Sequence, residues 1–438
     1  MSPKTLLLFV LFVMVYSASA QIITNYRLRF IPTTIGNAEI EVSFCIDAEA
    51  PDTLRMRFGS RLYDYMGYNS DSTAKIDVHG ENIISTHMSN NQCIEIVRKH
   101  GLPSKISMHY HYGNLAVVLV SQGKRPMAEV WETSCEEFYY PFVPQTHMDF
   151  HAEFVAPDGV EVLCSYPVEK SGGAYVCDVK SAIAHSLQVA FLDTSRLRID
   201  TMRVPHPIRV YQVKGQECPD ERFDAVEHLL SNAYGYFYDI FKTHPKHGIR
   251  LHALLLADSN LTGGGARYNI NFISAPQYKV STYDDIMPLA HEVGHSWLGE
   301  YNLLIADGQS GAYFIKESLN EFMTAMFVRS FYGNAAYRKH IDGKIRAYGY
   351  SKIKGTEHDR ALIDMRYNNN HAVVYAKGPL ILDEFAQRIG YDAMVHIIAE
   401  FYRRHDLKPG LRYEDFIATV ADLHPEIAEE LDQRIRNV

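Results

Sequence analysis

Beyond its first twenty residues this 438-residue chain has no apolar run long enough to cross a bilayer, which leaves no transmembrane anchor to expect in the mature protein. Runs of lysine and arginine are missing too. With 43 basic against 52 acidic residues and a net charge of -9, nothing could neutralise a phosphate backbone, and nucleic acid is excluded as a partner. Cysteine is scarce: Cys45, Cys93, Cys135, Cys164, Cys177 and Cys218 are the full set, with none later. Their spacings do not resemble a zinc knuckle. Cys164 and Cys177 flank a stretch that reads as a hairpin turn, the one pairing the spacing suggests; buried free thiols are the alternative. Internal repeats, low-complexity stretches and an obvious flexible linker are also lacking.

The opening twenty residues have a different character. Lys4 precedes an apolar run from Leu6 to Val15, and "SASA" ends at Ala20. Charge, short apolar core and small-residue cleavage site follow one another as a secretory signal requires, so cleavage after Ala20 and a secreted or periplasmic protein are expected. Gln21, not a cysteine, would open the mature chain, which argues against a lipid anchor.

What remains exceeds the size one hydrophobic core usually serves, and 47% hydrophobic residues suffice for two. From 21 to about 212, short alternating segments such as "AEIEVSFCID" and "IRVYQV" predict an antiparallel β domain. After Cys218 the period changes. Phe223, Val226, Leu230, Ala233, Phe237 and Ile240 recur at helical spacing, "RLHALLLA" reads as a buried strand, and segments from Asp285 onward look helical. The expected fold is α+β, with 21–212 a β domain and 213–438 mainly helical.

The chemistry is concentrated in "LAHEVGHSWLGE". Residues four apart share a helix face, so His291 and His295 can offer two ring nitrogens to one metal ion, while Glu292 lies about 100° round the helix. Zinc held by three protein ligands keeps one position for water and lowers its pKa, and a neighbouring carboxylate can take the proton. Asp284 or Asp285 could cap this helix, Pro288 suits its first turn, and Gly294 costs about 1 kcal/mol against alanine unless something must approach the backbone. A chain of this composition holds on the order of 0.06 such motifs by chance, so a third ligand is needed to strengthen the reading. In "FIKESLNEFMTAMF", Leu319, Phe322, Met323 and Met326 follow helical spacing, and either Glu317 or Glu321 could supply it.

At this point the sequence resembles the zinc aminopeptidases of the aminopeptidase N family, gluzincins with an HExxH motif and a downstream "LNE". The matching residues are His291, Glu292 and His295, with Trp297 and Gly299 behind them, then Leu319, Asn320 and Glu321. The resemblance implies one zinc per chain held by His291, His295 and Glu321, although the interval after His295 is longer than the family's usual 18 residues. It also implies that Tyr375, in "YAKG" with Lys377 and Gly378, donates a hydrogen bond to a developing oxyanion. The helical half is then expected to be a thermolysin-like catalytic domain acting on a peptide or protein substrate. No large helical C-terminal domain like that of many members follows.

One departure concerns specificity. Where the family carries "GAMEN", this chain has Gly265, Ala266, Arg267, Tyr268 and Asn269 as substrate-binding candidates. Tyr268 stands where a glutamate would bind the substrate's α-amino group, and a phenol supplies no charge at neutral pH. Altered recognition of a free N-terminus is therefore expected, with Glu132 a candidate replacement and Arg267 a candidate partner for an acidic substrate. The competing reading is a non-catalytic zinc-binding or protein-binding module; Glu292 and Tyr375 argue for hydrolysis, since a structural zinc needs neither.

Overall fold

Every second residue of the strand His147–Val155 is buried, Met148, Phe150, Ala152 and Phe154 pointing into one core while their neighbours face outward. The same alternation recurs through the first half of the computed structural model. That model describes residues 22–34, 37–60, 76–89, 93–113, 116–117, 130–132, 137–144, 146–184, 186–202, 208–215, 217, 220–242, 250–256, 263–267, 270–276, 283–299, 302–303, 305, 309–350, 353–365, 372–408 and 410–438. The expected signal segment, Cys135, Cys218, Tyr268 and Asn269 lie outside the described residues.

The first half forms a seven-stranded sheet with the order Glu169–Ser171, Ala174–Ile183, His147–Val155, Ile23–Thr34, Asn37–Ile46, Ser104–Gly113, Asp77–Gly80, accompanied by two four-stranded sheets. Pairing is antiparallel as expected except between Ile23–Thr34 and His147–Val155, which run parallel. Tyrosines fill the core while keeping their hydroxyls satisfied: Tyr26 donates to the Pro141 carbonyl at 2.7 Å and Tyr110 to that of Tyr139 at 2.7 Å. Cys164 and Cys177 do not flank a single hairpin, since their strands belong to different sheets. They lie together as buried thiols, and burial together with the Cys177 thiol pushes the Cys164 thiol well up.

The second half has its own core. A five-stranded sheet, ordered Leu197–Met202, Ile208–Val213, Arg250–Leu256, Ile270–Pro276, Gly263–Arg267, mixes parallel and antiparallel pairs. Its first two strands precede the change of period near 212, and Val210 belongs to the second core. The helices of this half are α1 (Asp220–Phe241), α2 (Tyr283–Gly294), α3 (Leu319–Tyr350), α4 (Gly378–Ile389), α5 (Tyr391–His405), α6 (Tyr413–Leu423) and α7 (Pro425–Arg436), and α2 lies against the strands Gly263–Arg267 and Ile270–Pro276. The helical periodicity of α1 is confirmed: Val226, Leu230, Ala233 and Phe237 are fully buried. Among the described residues no helix is long and apolar enough to cross a membrane.

One expected feature of α2 is corrected. The helix starts at Tyr283, so Pro288 lies in its interior, where its missing N–H leaves the carbonyl four residues earlier without its helical donor.

A second break has larger consequences. Within α3, Gly333 has φ 80° and ψ 173°, a region open to glycine almost alone, and the chain reverses there. A straight helix would hold Glu321 and Lys344 about 35 Å apart, yet their charged groups are hydrogen-bonded. A Cβ on Gly333 would meet no atom within 4 Å, so the cost of a side chain there is purely conformational. Gly333→Ala should accordingly lose about 1–3 kcal/mol, measured by denaturant unfolding; unchanged stability would show that the reversal does not depend on glycine.

Candidate metal centre

The motif helix is fixed from behind by aromatic packing. Trp297, wholly buried, has its ring centroid 5.1 Å from that of Tyr234, 5.7 Å from Phe237 and 6.0 Å from Phe241, all on α1. From the other side Asn320 donates from Nδ2 to the His291 carbonyl at 2.8 Å. The need for glycine at 294 follows: a Cβ there would collide with the Asn320 side chain and lie 2.6 Å from Phe237. The roughly 1 kcal/mol conceded in helix propensity gives α1 and α3 their close approach to α2.

His291 and His295 share one face, their rings 4.5 Å apart and perpendicular, and the backbone N–H of His295 still bonds to the His291 carbonyl. Facing them is Glu317. Its Oε2 lies 3.3 Å from His291 Nε2 and 3.4 Å from His295 Nε2. Bonds of 2.0–2.1 Å from a tetrahedral zinc would set its ligand atoms roughly 3.3 Å apart, and the two distances to the carboxylate oxygen match that spacing. Among the described residues this is the single group of three or more His, Cys, Asp or Glu side chains close enough to hold a metal ion.

The sequence-based choice of Glu321 is therefore not what the geometry brings together. Glu321 Oε2 sits 2.6 Å from the opposite nitrogen of His291, Nδ1, and its other oxygen bonds to Lys344. Both glutamates reach one imidazole because they stand four apart, but from opposite edges. The two differ in setting: Glu317 belongs to a π-helical turn, Phe314–Ser318, and Glu321 to the regular helix α3 that follows it. A sequence signal existed: the interval from His295 to Glu317 is the shorter of the two and nearer the family's spacing. Asn320 thus contacts the backbone of α2 and Glu321 the His291 ring.

The back nitrogen of His295 is held as well, Nδ1 lying 3.1 Å from the Leu298 carbonyl. An acceptor lies beside Nδ1 of each ring, Glu321 Oε2 for His291 and the Leu298 carbonyl for His295, and a proton held there would leave each Nε2 to ligate, the usual arrangement around a bound metal. Charge points the same way. Burial opposes protonation of both imidazoles, yet the carboxylates of Glu317 and Glu321 outweigh it and raise His291 to about 10, and Glu317 raises His295 too. Burial would also favour a neutral Glu317, but the two histidines hold it well below the usual carboxylate range. A pocket that draws protons this strongly carries surplus negative charge, which a divalent cation would balance.

Tyr375 comes from a second π-helical turn, Val373–Lys377, packed against the first. Ser318 ties the turns together by donating to the Val374 carbonyl at 2.8 Å, and Gly378 lies against the Ser318 side chain. The Tyr375 hydroxyl donates to Glu317 Oε2 at 2.9 Å, and burial with the Glu317 charge raises the phenol far above its ordinary pKa. Glu292, half-buried beside His291, is close enough to act electrostatically on both His295 and Tyr375. Lys377 is turned away. Its Nζ donates to Asp359 at 3.1 Å and to the Arg360 carbonyl at 2.9 Å, an anchor for the turn.

The remaining candidates lie in or beside the five-stranded sheet. Gly265, Ala266 and Arg267 belong to its edge strand, Gly263–Arg267, which α2 contacts; only their backbone is described. The backbone of Glu132 lies in Val130–Glu132, with its side chain outside the description. The side chains of Asp284 and Asp285 are likewise outside it.

The sequence matches no protein-family model and no curated protein. Its fold, however, is that of known structures. An M1 zinc metallopeptidase from Deinococcus radiodurans superposes with a TM-score of 0.61 at 14% identity, over 94% of each chain. A glutamate-to-alanine point mutant of that enzyme gives 0.60 at 14% identity over the same shares.

Proposed function

We propose that this protein is a zinc-dependent metallopeptidase, with one zinc per chain held by His291, His295 and Glu317. The observation that carries this reading is the Nε2, Nε2, Oε2 triangle with edges of 3.3 and 3.4 Å to the carboxylate oxygen, backed by an acceptor on each histidine's far nitrogen. The fold shared with M1 zinc metallopeptidases supports it.

When bound, zinc supplies Lewis acidity, lowering the pKa of a water and polarising a substrate carbonyl. Glu292 takes the proton from the attacking water on its carboxylate and passes it to the leaving amine. Tyr375 directs its hydroxyl at the centre and stabilises the carbonyl oxygen as negative charge builds there; a donor that binds more tightly in the transition state accelerates the step. The edge strand Gly263–Arg267 offers backbone groups to which an extended peptide can add as one more strand. With Tyr268 in place of the expected glutamate, recognition of a free N-terminus is altered or lost, and the substrate is a peptide or protein met after export, the signal segment having been removed.

The test combines metal content with hydrolysis. Wild type should contain about one zinc per chain, and Glu292→Gln should keep the metal while kcat falls about 10²- to 10⁴-fold. A Glu292→Gln protein with undiminished turnover would overturn the mechanism. In the same assay, equal cleavage of matched peptides with free and acetylated N-termini is expected; strong preference for the free amine would mean that another acid replaces the missing one.

A further inference from the structure

Behind the centre, on the side away from the three Nε2 and Oε2 atoms, a buried ammonium joins the two halves of the site. Lys344 is 8% exposed, as is Glu321. Its Nζ donates to Glu321 Oε1 and, at 2.7 Å, to the backbone carbonyl of Tyr375. His340 Nε2 stands 3.9 Å from the same Glu321 oxygen. Through Glu321 the lysine reaches His291 Nδ1, and through the Tyr375 carbonyl it reaches the turn that presents the phenol. Both groups come from the second limb of α3 and meet Glu321 only because the chain reverses at Gly333.

We propose that Lys344 is a positioning residue that sets the orientation of the His291 imidazole, through Glu321, and of Tyr375, through its backbone, and so couples metal affinity to placement of the oxyanion donor. This rests on the zinc reading above. An ammonium with three donors suits the role, since it can serve a carboxylate and a carbonyl from one point. A carboxylate on a ligand histidine raises the ring's basicity and fixes its plane. Lys344 determines how Glu321 divides its charge between the histidine and its other neighbours, and where its oxygens lie.

The test uses the full chain and does not depend on hydrolysis. Zinc affinity is measured by competition with a chromogenic chelator, and ligand geometry by the visible absorption of the cobalt(II)-substituted protein. Lys344→Met should weaken zinc about 10- to 100-fold and shift the cobalt bands, with Lys344→Arg recovering part of the loss. Folded Lys344→Met with unchanged affinity and unchanged bands would overturn the proposal. Should Lys344→Met not fold because Glu321 is left stranded, the pair Glu321→Gln and Glu321→Gln/Lys344→Met, whose double variant buries no lone charge, carries the test. Equal zinc affinity in those two, with cobalt bands moved from wild type, supports action through Glu321; a further tenfold loss in the double variant refutes it. If wild type itself takes up no zinc, the metallopeptidase reading fails. If wild type binds one zinc and the lysine variants bind it as tightly, only the role of Lys344 fails.

Discussion

Glu317→Ala should strip the protein of zinc and of hydrolysis together, while Glu321→Gln should weaken zinc without abolishing it. Zinc bound by protein ligands is worth about 10–16 kcal/mol, so losing one of three ligands removes roughly 3–5 kcal/mol, on the order of 10²- to 10⁴-fold in affinity. Loss of a group that only orients a ligand costs about 10- to 100-fold. The distances assign Glu317 to the first class and Glu321 to the second: one lies on the Nε2 side of both histidines, the other on Nδ1 of His291 alone. Saturating zinc separates the two. Glu321→Gln should regain most of its turnover, whereas Glu317→Ala should not, because an ion forced in by excess zinc would be held by the two histidines alone. Equilibrium dialysis on the three proteins decides the matter, and a Glu317→Ala protein that binds zinc like wild type would return the ligand role to Glu321.

A second large effect is expected far from the centre, at Arg98 in the β-rich half. Its side chain is 1% exposed and its guanidinium feeds four backbone carbonyls, those of Pro51, Leu102, Ala48 and Ala50, at 3.1, 2.7, 2.8 and 2.5 Å. The backbone of Arg98 adds a fifth tie, its N–H bonding to the Asp52 carbonyl at 2.8 Å. The Ala50 carbonyl would be left buried without a donor, at about 1–3 kcal/mol, and the three part-buried carbonyls would regain water only in part, so Arg98→Met should destabilise by on the order of 2–4 kcal/mol. That is a large fraction of the roughly 5–15 kcal/mol that holds a typical protein folded. Arg98→Lys should rescue little, because three donors on one nitrogen cannot reproduce the guanidinium fork. Urea unfolding followed by circular dichroism reads the change, and a loss below about 1 kcal/mol would show that water replaces the guanidinium.

The amino-acid order alone was enough to show the change from an alternating to a helical period. Alternation in the first half and 3.6-residue spacing in α1 and at Leu319, Phe322, Met323 and Met326 each report which side of a segment faces a core, and the structure buries those residues wholly or in part. His291, Glu292 and His295 were legible for the same reason, because a four-residue interval on one helix fixes relative direction without knowledge of anything else. Long-range choices were not legible. Glu317 and Glu321 are equivalent on a regular helix, and the π-helical turn at Phe314–Ser318 that distinguishes them packs against a second such turn, tied through Ser318 to Val374, 56 residues further on. Lys344 carries no local signature either, since its place beside Glu321 depends on a reversal at a single glycine. Local periodicity is a property of neighbouring residues and survives in the sequence; the choice between two chemically identical carboxylates is made by contacts between distant segments, which exist only once the chain has folded.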